Sequence, residues 1–452
     1  MNEPKAKALP FQKDGVRGME RFGGRTLLAD EQGLGKTLQA LWLLSRNPDW
    51  MPALVVCPGV AKYHWEHEIA HNMGQRAWVL EGQTPPKDIP RFKPKILIIN
   101  YEILHHWTRY LEQLGLKAII FDECQYLANP AASRTKAARR MALECEHVIG
   151  LSGTPLLNRP RELFPILNMI NPFVFNSWQK FAHQFCDPKY KAWGWTYDGA
   201  TNLDELHELL VETCMIRRLK KDVLKSLPPK VRHVVPLRLS SKALAEYTKA
   251  NGHFLKWLRT SFGAGKAAKA AKAERMVKMG YMKRLSAKLK CRQVVDWTNG
   301  MLGEHGKLVL FAHHQKMIQA VERNVPYKSV TIDGNTNGRE RDLARRQFQF
   351  DKTTGLCLGS MAATTALTLT AANHLGFAEL WWRPGDHSQA EDRIHRISQT
   401  RQANAYYLVA EGTIEEHLCQ VIQEKQAVIG ATLDGDNAQD LAIFDQLTER
   451  LL

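Results

Sequence analysis

Long apolar runs are missing from this chain of 452 residues. Nothing approaches the roughly 18 apolar residues of a membrane span, and the opening MNEPKAKALPFQ lacks the apolar core of a secretory signal. The eight cysteines, Cys57, Cys124, Cys145, Cys186, Cys214, Cys291, Cys357 and Cys419, are scattered, without a Cys-x-x-Cys pair or histidines at zinc spacing. A disulfide framework and zinc modules are therefore not expected, and reduced thiols in a cytosol-like compartment are. Acidic residues are outnumbered too, 46 against 62 Lys and Arg, for a formal net charge of +16. Such a surface gathers a polyanion, nucleic acid first among them, although charge alone suits a merely basic protein equally.

What is present is an alternation. Short runs rich in Val, Ile and Leu separate longer segments of helical pattern, which predicts parallel sheets covered on both faces by helices. Strands are expected at Thr26–Ala29, Leu54–Cys57, Ile96–Asn100, Ala118–Phe121 and His147–Leu151. The pattern restarts with Leu308–Phe311, Val330–Ile332, Leu356–Leu358, Glu379–Trp382 and Ala405–Val409. The length accommodates two α/β lobes, each with its own core, expected over residues 1–230 and 231–452.

Between the two runs the alternation fails. From Lys256 to Arg292 there are 12 Lys or Arg and one acidic residue, Glu274, so a basic helical insertion is expected at about 240–300. The cations at 266, 269, 272, 275 and 278 recur every three residues. At 3.6 residues per turn they wind around a helix rather than line one face. A solvated helix and a phosphate-tracking helix both fit.

The run DEQGLGKT, Asp30 to Thr37, lies after the apolar TLLA and before the helical LQALWLL. Strand, glycine loop and helix together place backbone N–H groups and the positive end of a helix at a β-phosphate. Lys36 would reach the β- and γ-phosphates, and Thr37 would bind magnesium. Asp30 stands where the strict G-x-x-x-x-G-K-[ST] pattern has glycine. A matching acidic pair, Asp122 and Glu123, follows the apolar run AIIF. Asp122 would hold magnesium, and Glu123 would orient and polarise the attacking water.

With these motifs in order, the chain resembles the Snf2-type ATPases of helicase superfamily 2, whose fold is two RecA-like lobes. Gln12 in LPFQKDG resembles the family's adenine-reading glutamine, and LVVCPGVAKYHWEHEI its next block, with Trp65 and Glu68 in place. INYEIL, DECQ and LSGTPLLNRP resemble the later motifs of lobe 1, and MIRRLKKDVLKSLPPK the brace that closes it. LVLFAHH, TIDGNTN and QAEDRIHRISQ continue the series in lobe 2. The resemblance implies an ATP site made of Gln12, Asp30, Glu31, Gln32, Gly33, Leu34, Gly35, Lys36 and Thr37, and arginine fingers at Arg393 and Arg396. Coupling roles are implied for Gln125, Ser152, Thr154 and Gln389. The segment LTLTAANHLGFAELWWRPGDHSQAEDR is most similar to the annealing-helicase, HARP-like branch. The accessory domains of larger relatives are expected to be absent.

The chain departs from that pattern in places. Thr364 and Ala366 stand where motif V of the branch has glycines, Ser398 replaces the glycine of HRIGQ, and Arg383 replaces a small polar residue. Cys124 and Gln125 replace the small residue and the histidine after the acidic pair. Gln125 still donates and accepts, so a relay from the γ-phosphate to Ser152 and Thr154 is expected.

The function implied by the resemblance is a translocase on duplex or branched DNA, consuming ATP with Mg2+, gripping mainly phosphates and working as a monomer. A strand-separating DNA or RNA helicase and an ATP-dependent DNA clamp are the alternatives. Trp193 and Trp195, in KAWGWTYDG, either stack on exposed bases or pack a loop. The compact length suits a cytoplasmic protein of a bacterial or phage repair or replication system. TIEEHLCQVIQEKQAVIG is expected to be a structural closing helix.

Overall fold

The computed structural model describes residues 7–87, 95–191, 194–254, 274–360 and 367–435. Thr364, Ala366, Trp193 and the lysines at 266, 269 and 272 lie outside the described residues. The described chain divides into two compact units, 7–227 with 425–435, and 228–424.

The first unit is built on a seven-stranded sheet. Its spatial order is Trp78–Val79, Ile96–Asn100, Ala53–Cys57, Ala118–Asp122, His147–Leu151, Arg25–Leu28 and Met215–Ile216, with every pairing parallel. Apolar residues on both sides of each strand make this sheet two-faced. Leu54, Val56, Leu97, Ile99, Ile119 and Phe121 face one core, and Ala53, Val55, Ile96, Ile98, Ala118 and Ile120 face the other. This is the period-two alternation of a strand with both faces covered. Each buried Val, Leu, Ile or Phe contributes about 1.5–3 kcal/mol of transfer free energy, so the helices are fastened to the sheet mainly by these rows.

The second unit repeats the plan with six parallel strands, in the order Lys230–Leu237, Ala403–Ala410, His374–Phe377, Leu308–Phe311, Leu356–Gly359 and Ser329–Ile332. One expected strand is displaced. The strand assigned to Glu379–Trp382 is His374–Phe377, five residues earlier at its start. Glu379 has left the sheet because its buried carboxylate accepts the backbone N–H groups of His313 at 2.6 Å and His314 at 2.8 Å. A charge buried in this way is retained only where such donors meet it. The edge strand Lys230–Leu237 was not expected, although its Val-rich KVRHVVPL carries a strand signal.

The described part of the basic insertion is largely a 32-residue helix, Glu274–His305, and it is a packed element of the second unit. Lys290 is fully buried and donates to Leu408 O and to Glu415 Oε2, both at 2.7 Å. Lys283 is buried against the rings of Trp381 and Trp382. These two cations therefore hold the lobe together and are not solvated phosphate-trackers, whereas Lys288 and Arg292 are exposed. The expected closing helix is present as Ile414–Asp434.

Candidate functional site, a nucleotide edge

In the first sheet, the strands ending at Leu28, Leu151 and Asp122 are successive neighbours, so the segments that follow them emerge side by side at the carboxyl edge. That edge is where open parallel α/β sheets hold ligands.

The loop after Leu28 turns at Gly33 and Gly35, with φ of 86° and 76°. That left-handed region is open to glycine at little cost. Gly35 then caps the helix Lys36–Arg46, which places Lys36 and Thr37 in its first turn. Lys36 Nζ bends back to Asp30 O at 2.8 Å and Glu31 O at 3.3 Å. Gln12 closes the loop from the first helix by donating to Leu34 O at 3.1 Å, while its own oxygen accepts Leu9 N–H at 2.9 Å.

Two residues assigned to the nucleotide have side chains committed elsewhere. Asp30 is fully buried and held by Arg218 and by Gln39 Nε2 at 3.0 Å. Glu31 accepts the backbone N–H of Lys220 at 2.7 Å. What these two give the loop is its shape. Arg218 also donates to Phe11 O and, at 2.7 Å, to Gln39 Oε1. Its neighbour Arg217 donates to Ala29 O at 2.8 Å and pairs with Asp434 of the closing helix. The brace thus grips the loop with consecutive arginines. In the sequence they stand within MIRRLKKDVLKSLPPK, where nothing adjacent marks these distant partners.

The acidic pair behaves as two neighbouring carboxylates should. Burial and the adjacent Glu123 raise the Asp122 carboxyl to about 7, against the opposing pull of the Trp65 indole N–H, 2.8 Å from Asp122 Oδ2, and of Lys36. Such a pair, beside the Thr37-bearing helix start, has the hard oxygen donors a magnesium ion takes. Glu123 sits at φ 52° and ψ 53°, a left-handed conformation rare for a side chain of this size and found mostly where function demands it.

From Glu123 a chain of hydrogen bonds runs along the edge. Gln125 Nε2 donates to Glu123 Oε2 at 2.7 Å, Ser152 Oγ donates to Gln125 Oε1 at 2.6 Å, and Thr154 N–H donates to Ser152 Oγ at 3.0 Å. Gly153 permits the contact with the loop. A Cβ there would lie 2.5 Å from Gln32 Cγ and 2.9 Å from the Gln32 backbone nitrogen.

Arg393, Arg396 and Gln389 belong to the second unit. Glu391 is committed to partners other than the arginine two residues on. Glu391 is fully buried, bonded to Arg232 at 2.7 and 2.8 Å and to Tyr407 Oη at 2.6 Å, and Asp392 lies 3.2 Å from Lys230. The Arg232 and Lys230 charges overcome burial and hold the Glu391 carboxyl well below its usual range. Arg396 instead donates to Thr368 Oγ1 at 2.7 Å and to Asp392 O at 3.1 Å, and Arg393 O accepts from Leu369 N–H at 2.9 Å. Both arginines are therefore tied to Leu367–Leu369, which follows residues 361–366. Gln389 lies on the helix Pro384–Glu391.

A parallel sheet whose carboxyl edge carries a glycine loop with lysine, an acidic pair and a hydroxyl-bearing turn defines a P-loop nucleotide-binding lobe, here followed by a second RecA-like lobe. The chain belongs to the SNF2-related family: the SNF2-related domain matches residues 11–297, and the helicase conserved C-terminal domain matches residues 290–398. It is 35% identical over 451 residues to the DNA annealing helicase and endonuclease ZRANB3 of Bos taurus, covering 95% of this chain and 41% of that protein. It is 36% identical over 439 residues to the SWI/SNF-related matrix-associated actin-dependent regulator of chromatin subfamily A-like protein 1 of Xenopus laevis, covering 93% and 44%. The chain thus spans about two fifths of the length of these curated relatives. Among solved structures, the Sulfolobus solfataricus SWI2/SNF2 ATPase core in complex with dsDNA aligns with a TM-score of 0.46 and 26% identity, over 99% of this chain and 97% of that one. These two relatives are animal proteins and lend no support to the expected bacterial or phage setting. Among the described residues no helix is long and apolar enough to cross a membrane.

Proposed function

We propose that this chain is an ATP-dependent translocase on double-stranded DNA whose output is the annealing or remodelling of branched DNA. The observation that carries this reading is the unbroken hydrogen-bonded run from Glu123 through Gln125 and Ser152 to Thr154, beside the lysine loop. It joins the group that would activate water to a turn that would respond to DNA. Similarity to an annealing helicase along nearly the whole chain supports the choice of substrate.

In this reading Gln12 selects adenine, and the backbone from Gln32 to Gly35 cradles the phosphates. Lys36 offsets their charge, and Glu123 orients and deprotonates the attacking water. Thr37 and Asp122 would hold magnesium, which supplies charge neutralisation at the β- and γ-phosphates when bound. Arg393 and Arg396 are assigned to the charge that develops on the transferred phosphoryl group, with Gln389 as a coupling residue. DNA contacts are to phosphates, because a motor moving on any sequence does not depend on base edges. The working unit is a monomer.

The test is ATP turnover by the full chain with linear duplex, fork, four-way junction, single-stranded DNA and RNA, beside a Glu123→Gln variant. Stimulation by duplex or branched DNA that Glu123→Gln abolishes is expected. Stimulation by RNA alone would overturn the reading in favour of an RNA helicase. Turnover no higher than that of Glu123→Gln would leave only a DNA clamp.

A further inference from the structure

The first unit carries an aromatic row that the nucleotide reaction does not use. After the helix Trp178–Phe185 comes an antiparallel ribbon, Lys189–Lys191 paired with Gly194–Thr196, in which Tyr190 lies opposite Trp195. Directly opposed residues share a face of the ribbon. The two rings meet edge to face, with centroids 5.4 Å apart and planes at 69°.

Behind them the row continues inward. Trp195 touches His183 at 5.8 Å, His183 touches Tyr197 at 5.9 Å, and Tyr197 touches Trp178 at 5.7 Å between centroids. Trp178 abuts Phe164, which packs on the buried Phe181. The row is thus rooted in the core and open at its far end, where Tyr190 is 73% and Trp195 54% exposed. Aromatic residues that pack a loop against a lobe are covered by it, whereas these outer rings are held in place from behind and left bare. A ring fixed before binding loses little entropy when a ligand arrives.

The surroundings are cationic. Lys189 and Lys191 flank Tyr190, alternate to the other face of the ribbon and are exposed, as is Lys180 on the preceding helix. Of the nearby carboxylates, Asp187 lies 2.8 Å from Lys189, Asp198 lies 2.5 Å from Arg159 and 2.6 Å from Arg161, and Glu205 accepts from Gln184.

We propose that the Tyr190–Trp195 ribbon is a binding site for unpaired bases of single-stranded DNA, such as a branch point exposes. Bare rings beside cations are the means by which proteins hold single strands, stacking on bases while the cations follow the phosphates. Duplex DNA offers no free base face inside its stack. A protein partner would need roughly 800 Å² from this side, far more than two ring faces supply. The setting of the proposal rests on the translocase reading, but strand binding itself is measured without ATP.

The experiment compares the full chain with a Tyr190→Ala/Trp195→Ala variant and with Tyr190→Phe/Trp195→Phe. Fluorescence anisotropy without nucleotide is read on a single-stranded oligonucleotide and on an abasic oligonucleotide of equal length, alongside turnover on linear duplex. Since a stacked base contributes about 1–3 kcal/mol, the alanine variant should bind the single strand about tenfold to a hundredfold more weakly. Its affinity for the abasic strand and its duplex-stimulated turnover should match the original chain, and the phenylalanine variant should retain most single-strand affinity. Unchanged single-strand affinity in the alanine variant overturns the site, as does an equal loss on the abasic strand or a parallel loss of duplex-stimulated turnover. A chain that fails to hydrolyse ATP on any DNA yet shows the base-dependent loss would refute the translocase reading and leave the ribbon site standing.

Discussion

Arg218 and Asp30, 188 positions apart in the chain, are joined by a hydrogen bond of 2.8 Å from Arg218 Nε to Asp30 Oδ1. The aspartate that breaks the strict phosphate-loop pattern is thereby the anchor by which the brace holds the loop. Removing one partner of a buried pair strands the other charge, at a cost of about 3–5 kcal/mol. Arg218→Ala should accordingly destabilise the chain by that order in denaturant unfolding and weaken binding of a fluorescent ATP analogue. Adding Asp30→Ala should restore part of the stability, because no buried charge is then left over. Wild-type stability in Arg218→Ala would show that the pair holds nothing.

Gln125 bridges Glu123 and Ser152, donating to the first and accepting from the second through its side-chain amide. Gln125→Ala should leave ATP affinity within about threefold and lower DNA-stimulated kcat by about tenfold or more, the scale on which loss of one positioning hydrogen bond is felt in a transition state. Steady-state kinetics with and without duplex DNA separate these effects. Unaltered stimulation would rule out the relay.

Gly153 has a space constraint rather than a torsional one. An added Cβ would stand 2.9 Å from the backbone nitrogen of Gln32, which cannot move without moving the loop. Gly153→Ala should therefore weaken ATP binding, with a stability cost of about 1–3 kcal/mol typical of overpacking. Equal affinity in titration calorimetry would mean that the loop yields freely.

The second unit should lose stability in mild acid. His387 is fully buried, accepts the Trp381 backbone N–H at 3.2 Å through Nε2 and lies 3.2 Å from Arg383 O through Nδ1, an arrangement that suits the neutral ring. Burial pushes its pKa down from 6.5 to about 4. Burial, with His305 stacked 3.9 Å away, does the same to His374. Between those values the unfolded chain binds more protons, so stability is fully present above about pH 6.5 and is lost as pH falls towards 4. For His387 the full effect is on the order of 3 kcal/mol. Denaturant midpoints measured from pH 7 to 4 should fall, and less steeply in His387→Asn. Identical slopes would exclude His387 as a source.

Much of the fold was legible because its signals are local. Ile96–Asn100, His147–Leu151 and Leu308–Phe311 stand where their apolar runs predicted them. The run AELWW misled because it has the composition of a strand, while Glu379 in it is called away by backbone N–H groups some 65 positions earlier. The basic helix misled in the same way: composition marks Lys290 as a solvated cation, and only its neighbours reveal Glu415 and Leu408 O.

By itself the sequence located the glycine loop of Asp30 to Thr37, the acidic pair and the two-lobed α/β plan, since each is a pattern of adjacent residues acting through backbone geometry. Tertiary structure alone decided what those residues do with their side chains. Asp30 turns to Arg218, Glu391 turns to Arg232 rather than to its neighbour Arg393, and Tyr190 meets Trp195 at the exposed end of a row rooted in the core. The physical reason is common to all three. Hydrogen bonds, ion pairs and ring contacts act over a few ångströms, so they are decided by proximity in the fold, which separation along the chain does not encode.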